Sequence, residues 1–195
     1  MISRLAFLAA FAAALLVGGL PGKGPSPFSV SYASAAPAEM FLKMAGIEGE
    51  STDRQHAKEM GVLTWSWGLS NTGSARTGGG GGAGRVNMQD LSFTKTIDKA
   101  TPQLMLAVAN GKQLLEAVLT VRRSGETPVE YLVITMQDVI ITSYATAANG
   151  GEQRLTEIVT LNFAKVKVTY TPQSADGRPG SPVTFGWDFA QNRPF

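Results

Sequence analysis

The chain of 195 residues is long enough for one domain with a substantial core, and its 44% hydrophobic content with 22 glycines indicates a folded, β-rich protein. It contains no cysteine, which excludes disulfides and thiol chemistry. Arg4 and Lys23 are the only charged residues among the first 35, so the remainder carries 15 basic and 15 acidic residues. A nucleic-acid partner is not expected from this balance.

The first 39 residues are predicted to lie outside the fold. Residues 5–20 are almost purely apolar and follow Arg4, which is typical of a secretory signal, and small residues suited to cleavage occur at Ala33, Ser34 and Ala35. The run is shorter than the about 20 residues of a spanning helix, so stable membrane insertion is not expected. The alternative is that translation starts downstream, for example at Met40. The predicted domains are residues 1–39, a signal-like segment and linker, and residues 40–195.

Residues 40–47 are predicted to form the first strand. The polar stretch after it holds His56, the single histidine of the chain. A metal site would require more ligands. A solvated loop is therefore predicted here.

Residues 62–70 are predicted to form a strand that alternates between large and small side chains. Leu63, Trp65, Trp67 and Leu69 share one face, and Ser66 lies among small residues on the other. The two indoles are expected to lie in the core. The small face leaves room for close approach by another group.

Five consecutive glycines follow, at Gly78, Gly79, Gly80, Gly81 and Gly82. A phosphate-binding loop needs Gly-Lys-Ser or Gly-Lys-Thr leading into a helix, whereas this run leads into a strand pattern. Nucleotide binding is therefore excluded, and an extended loop is predicted.

Residues 86–97 are predicted to form the next strand, with Leu91, Phe93 and Ile97 on one face. A short helix should follow, capped by Thr101, with Pro102 in its first turn and Gly111 at its end. About ten residues are marginal as an isolated helix, so packing on the sheet must hold it.

The remaining pattern indicates strands at residues 114–123, 129–143, 155–170 and 183–188. Residues 129–143 are apolar on both faces, which predicts that the helix or another subunit covers the second face. The alternation in residues 155–170 changes parity near Ala164 and Lys165, which predicts a bulge or break. The predicted fold class is mainly β, a closed or nearly closed β-barrel with one flanking α-helix.

The sequence predicts no catalytic, cofactor-binding or metal-binding residue, and the protein is not expected to be an enzyme. A lone histidine leaves no Ser-His-Asp triad. The acid pairs Glu48 with Glu50 and Glu152 with Glu157 would serve a glycosidase only if they faced each other across a cleft, and solvated loops are the expected location.

Several stretches together resemble the haemolysin-coregulated proteins (Hcp), the tube proteins of type VI secretion systems. The similar residues lie at positions 40–43, 49–51, 62–68, 78–84, 86–95, 97–102, 129–132, 154–157, 159–163 and 186–187. They occur in the family's order and span about residues 40–192.

The resemblance implies a barrel of two sheets with one flanking helix, assembling as a homohexameric ring. It implies that rings stack into a tube that a contractile sheath expels, tipped by a valine-glycine-repeat spike protein, and that small effector proteins are carried in the lumen. By the same resemblance, Ser66 contacts effectors in the lumen, and the glycines of residues 78–82 belong to a ring-stacking loop.

One feature departs from the family pattern. The resemblance implies cytoplasmic assembly followed by type VI secretion, so an export signal ahead of the barrel is unexpected. If the signal acts, the protein reaches the periplasm. The alternative function is then an exported β-barrel binding module that shares the fold without forming a tube.

Overall fold

The computed structural model describes residues 38–71, 73, 85–125, 128–148, 154–174 and 178–195. The predicted leader therefore lies almost wholly outside the described residues. Ten strands and one helix follow in chain order: β1 (Ala38–Met44), β2 (Met60–Ser66), β3 (Leu69–Asn71), β4 (Val86–Met88), β5 (Leu91–Thr96), α1 (Thr101–Asn110), β6 (Gln113–Arg123), β7 (Val129–Ala147), β8 (Thr156–Tyr170), β9 (Val183–Asp188) and β10 (Arg193–Pro194).

Six strands close into an antiparallel barrel, which confirms the predicted architecture. Their order is β8-β5-β2-β1-β6-β7, and pairing of β7 with β8 completes the circle. Strands β9 and β10 extend the sheet from the second half of β8, and β3 with β4 forms a separate ribbon. The side chains that fill the interior come mainly from the alternating inward positions of the six barrel strands.

On three neighbouring strands, the side that faces the core changes at one level. Two buried residues three positions apart flank this level on each strand: Leu114 and Ala117 on β6, Met136 and Val139 on β7, Phe163 and Val166 on β8. We call this level the crease and define it by the paired residues Glu116, Gln137 and Lys165. The parity change near Ala164 and Lys165 is confirmed, but the predicted bulge or break is not found there: β8 is continuous and keeps its register against β7.

The crease also corrects the interpretation of residues 129–143. Asp138 lies on β7 at the crease with a φ of 56°, a left-handed conformation that interrupts strict alternation. Ile134 and Met136 before it and Val139 and Ile141 after it therefore belong to one core that changes side along the strand. Helix α1 also contacts β7, as the prediction of a covering helix allowed.

The prediction for the tryptophan strand was right for the indoles and wrong for their neighbours. Trp65 and Trp67 pack against the core, but Leu63 and Leu69 are 48% and 42% exposed, and Val62 is buried. The register between β2 and β5 shifts between Val62 and Thr64, so the inward parity changes at Leu63.

Helix α1 ends as predicted and begins differently. Gly111 adopts a φ of 62° and donates its N–H to carbonyls of the last turn. Thr101 is the first helical residue rather than the cap, and Ala100 precedes it without a side-chain cap. Leu104 and Ala107 face the barrel and are buried.

His56 is buried, so the predicted solvated loop was wrong at this residue. Its ring stacks on Phe41 with centroids 4.3 Å apart, and its Nδ1 lies 2.9 Å from Glu59. The side chain is therefore part of the packing between β1 and the loop that precedes β2. Within the part of the chain that the structure describes, no helix has the length and apolar character needed to span a membrane.

Candidate functional site

One wall of the barrel presents a polar outer surface whose two central rows are uncharged; at its border, the Asp90 carboxylate accepts hydrogen bonds from Thr142 at 2.9 Å and Asn162 at 2.7 Å. It is formed by β2, β5, the first half of β8 and the second half of β7, and its side chains point away from the core. We call it the hydroxyl face and define it by two paired rows, Ser66, Ser92, Thr160, Ser143 and Thr64, Thr94, Ile158, Ala145. All eight side chains are small or uncharged, and six of them are hydroxyls. Such a surface offers hydrogen bonds without strong electrostatic attraction.

Ser66 lies at one end of the first row. It is exposed at the end of β2, directly opposite Ser92 of β5, while Trp65 beside it points inward. The other predicted functional residues, Gly78, Gly79, Gly80, Gly81 and Gly82, lie outside the described residues. The ribbon of β3 and β4 from which that loop departs follows β2 directly.

The hydroxyl face ends at two strand edges. β1 pairs with β2 only at Met60 and Gly61, and β6 pairs with β7 no further than Ile140. In the described parts of the chain, residues 64–66 of β2 and 143–147 of β7 therefore have a strand partner on one side only. Unpaired edges present backbone N–H and C=O groups that can accept a further strand.

A buried ionic network lies directly beneath the hydroxyl face. Lys95 and Glu157 are cross-strand partners on β5 and β8 whose side chains point into the barrel, and neither is exposed. Lys95 Nζ lies 2.8 Å from Glu157 Oε1 and 2.6 Å from Asp98 Oδ1. Thr101 and Tyr144 each donate a hydroxyl hydrogen bond of 2.9 Å to Glu157 Oε2. The network therefore ties β5, β7, β8 and the start of α1 together.

Tyr144 is held in its neutral form by this environment. Burial, together with the hydrogen bond to the Glu157 carboxylate, raises the pKa of Tyr144 to about 12. The hydroxyl therefore remains a donor at neutral pH.

A second cluster of charged groups fixes the loop between β1 and β2. Arg122 of β6 is buried and contacts Glu39 Oε2 at 2.6 Å and Asp53 Oδ1 at 3.1 Å, while its guanidinium lies 5.0 Å from the centre of the Phe41 ring. The hydrogen bonds from Arg122 hold the pKa of Asp53 well below its usual range. In this cluster one guanidinium is shared by two carboxylates.

An open cleft of about 950 Å³ lies between this loop and the end of β5, and its lining includes Glu50, Asp98 and Arg154. Its acids are engaged: Glu50 accepts the backbone N–H of Lys99 at 3.0 Å, and Asp98 binds Lys95. Hydrogen bonds from Lys99 and Lys58 lower the pKa of the neighbouring Glu48, the opposite of what a general acid requires. Among the described residues, no group of three or more metal-ligating side chains is present.

Sequence reasoning missed the buried network. Glu157 entered only as half of an acid pair with Glu152, which lies outside the described residues. The alternation of Leu91, Phe93 and Lys95 on β5 could have indicated a buried charge, because it places the lysine on the core side of the strand.

The chain matches the family model described as "Type VI secretion system effector, Hcp" over residues 41–170. It is also 56% identical over 156 residues to "Protein hcp1" of Pseudomonas aeruginosa, an alignment that covers 79% of this chain and 96% of that protein.

Solved structures of similar proteins share the fold. A structure described as a type six secretion system protein superposes with a TM-score of 0.77 at 26% identity and covers 82% of this chain and 100% of its own. Hcp1 from Salmonella typhimurium superposes with a TM-score of 0.68 at 34% identity, covering 81% of this chain and 99% of its own. A type VI secretion system effector from Yersinia pestis gives 0.63 at 31% identity, covering 76% and 98%.

Proposed function

The chain belongs to the Hcp family of type VI secretion system proteins, and on this premise we propose that it is a structural subunit of the secretion tube. Six copies form a ring with the hydroxyl face turned to the lumen. Small effector proteins are carried in that lumen without catalysis. The ring's other partners in this proposal are the valine-glycine-repeat spike protein and the contractile sheath.

The observation that carries the proposal is the hydroxyl face with its two unpaired edges. The two edges differ, since one belongs to β2 and the other to β7. Three antiparallel pairings separate them, so β2 and β7 run in opposite directions within the sheet. The β2 edge of one copy can therefore continue the antiparallel ladder from the β7 edge of the next.

Such a contact is heterologous, and its repetition about an axis gives a ring when the rotation closes. The hydroxyl face then becomes a continuous inner wall. The two rows that define it offer passing proteins hydrogen bonds but no charged side chains, which suits a conduit that must release its cargo.

The oligomeric state tests the proposal. Size-exclusion chromatography with light scattering of the purified protein should give a mass of six chains, and negative-stain electron microscopy should show rings with a central hole. A monomer at the highest attainable concentration would contradict the tube subunit and favour the exported binding module.

Ser66 is proposed to contact cargo in the lumen. Ser66→Gln should leave the ring intact and lower the amount of a co-expressed effector retained by it several-fold, because the longer side chain enters the lumen at a position where the wall is otherwise small. Quantitative mass spectrometry of purified rings measures the ratio. Ser181→Gln, the same change at an exposed serine outside the hydroxyl face, is the control. Equal retention by the two variants would contradict the assignment.

The glycines of residues 78–82 are proposed to act in ring stacking. Their deletion should spare the hexamer in light scattering and shorten or abolish tubes in electron micrographs, since the loop would no longer reach an adjacent ring. Tubes of normal length from the deletion variant would argue against this role.

The route of secretion is proposed to be type VI export after cytoplasmic assembly, with residues 40–195 as the assembling domain. N-terminal sequencing of the protein from its host tests this. A start at Met1 or Met40 fits cytoplasmic assembly, whereas a new terminus near Ala36 indicates processing of a signal and periplasmic export.

A further inference from the structure

The edge of β7 that borders the hydroxyl face is a strand with support on one side only. Residues 143–147 pair with β8, beyond a register shift at Thr142, and among the described residues they pair with no other strand. Edge strands twist and fray more readily than central ones, because half of their backbone groups bond to solvent. A second strand can pair with this edge only if the edge holds a defined position.

Tyr144 lies in the middle of this edge and points inward. Tyr144 is paired with Val159 of β8, and the Tyr144 ring packs against the core. Its hydroxyl donates a 2.9 Å hydrogen bond to Glu157 Oε2. Hydrogen bonds to a buried carboxylate are stronger than those between neutral groups. The edge is therefore attached to the barrel interior by a side chain as well as by the ladder.

The acceptor of this bond is itself fixed from several directions. Lys95 of β5 holds Glu157 Oε1 at 2.8 Å, and Thr101 at the start of α1 donates to the same Oε2 as Tyr144 at 2.9 Å. Asp98 anchors Lys95 in turn at 2.6 Å. A carboxylate held by two neighbouring elements cannot follow a moving edge, so the bond defines where the edge lies.

We infer that Tyr144 is a positioning residue for assembly: its hydrogen bond to Glu157 holds the free edge of β7 where the β2 edge of a second copy pairs with it. The inference rests on the proposed ring. It goes further by assigning assembly to a buried network that touches no neighbouring copy. The free edge of β7 and the buried pair of Lys95 and Glu157 then act together in assembly.

Tyr144→Phe in the full chain tests the inference, because it removes the hydroxyl and retains the ring. The variant should fold, with a native near-ultraviolet dichroism spectrum and a modest fall in Tm. Its concentration of half-dissociation into monomers, measured by sedimentation velocity, should rise at least tenfold, because an edge that is no longer held in the monomer must be ordered when it pairs with a second copy.

Tyr170→Phe is the matched control. It makes the same change at the far end of β8, where the side chain is 48% exposed, and it should leave half-dissociation unchanged. Hydrogen exchange of the monomers supplies a readout that a general loss of stability would not produce: amides of residues 143–147 should exchange faster in Tyr144→Phe and at the wild-type rate in Tyr170→Phe.

Each outcome decides the inference. If Tyr144→Phe has a lowered Tm but dissociates at the same concentration as the wild type, the bond serves only the stability of the fold. That result would overturn the inference and leave the proposed ring unaffected. A wild-type protein that forms no ring would overturn both. If Tyr144→Phe fails to fold, Glu157→Gln takes its place, because a neutral amide oxygen accepts a weaker bond from Tyr144 than the carboxylate does. Residues 143–147 should then exchange faster in the monomer, and the concentration of half-dissociation should rise by less than tenfold. Faster exchange without any rise in half-dissociation would contradict the inference.

Discussion

Replacement of Lys95 by methionine is expected to lower the free energy of unfolding by about 3–5 kcal/mol, the cost of breaking a buried ion pair by removing one partner. Lys95 is fully buried and is the shared cation of Glu157 and Asp98. Methionine fills a similar volume, so the loss arises from two carboxylates left without a counter-charge. Urea unfolding followed by tryptophan fluorescence, at a concentration where the protein is monomeric, measures the change.

Two further variants separate charge from packing. Lys43→Met makes the same change on the exposed side of β1 and should alter stability by less than about 0.5 kcal/mol. Lys95→Met combined with Glu157→Gln removes both charges of the pair and should recover a substantial part of the loss. If the single Lys95 variant were as stable as the Lys43 variant, the buried network would not contribute as described.

Gly49→Ala is expected to destabilise the fold by about 2–3 kcal/mol, in the range of other overpacking substitutions. A Cβ at Gly49 would overlap the carbonyl oxygen of Glu59 and lie 2.7 Å from the Cα of Met60. Both are backbone atoms and cannot rotate away. The loop would have to separate from the start of β2, and with it the hydrogen bond from the Gly49 N–H to Lys58 at 2.8 Å.

Gly61→Ala is the control, because it is not expected to lower the free energy of unfolding. Its added Cβ meets no atom within 4 Å, and alanine lowers the entropy of the unfolded chain relative to glycine. Stability should be unchanged or rise by up to about 1 kcal/mol. Thermal unfolding of the two variants side by side measures the contrast, and equal Tm values would refute the close backbone approach at Gly49.

The barrel and the family could be recognised from the sequence because their signals are local and repeated. Alternation marked the strands, Pro102 and Gly111 bracketed the helix, and many matching stretches in one order indicated Hcp. Both the fold class and the family are confirmed. The parity change near Ala164 and Lys165 was also readable, since it reverses a regular pattern.

The errors arose where pairing between distant strands overrides local periodicity. Leu63 is exposed because β2 shifts its register against β5 beside it, and this shift depends on the partner strand. The side change at Asp138 is shared with β6 and β8. His56 is buried because Phe41, from the preceding strand, offers a ring to stack on.

The candidate site was less predictable than the fold. Ser66 could be placed on the small face of its strand, but the hydroxyl face depends on three partner strands that alternation alone does not identify. Lys95 and Glu157 carry no local sign that they are paired. Only the register of β5 against β8 joins them.

The crease gives the barrel a mechanical character. Strands β6, β7 and β8 pass through it without interruption. The wall that bears the hydroxyl face and the sheet extended by β9 and β10 are therefore joined by continuous strands and are not two separate layers. Hydrogen bonds of an antiparallel ladder lie across the strands, and a load directed along the strands is shared among all of them in shear. In the proposed tube, we expect such a subunit to resist being peeled open when the column of copies is pushed from one end.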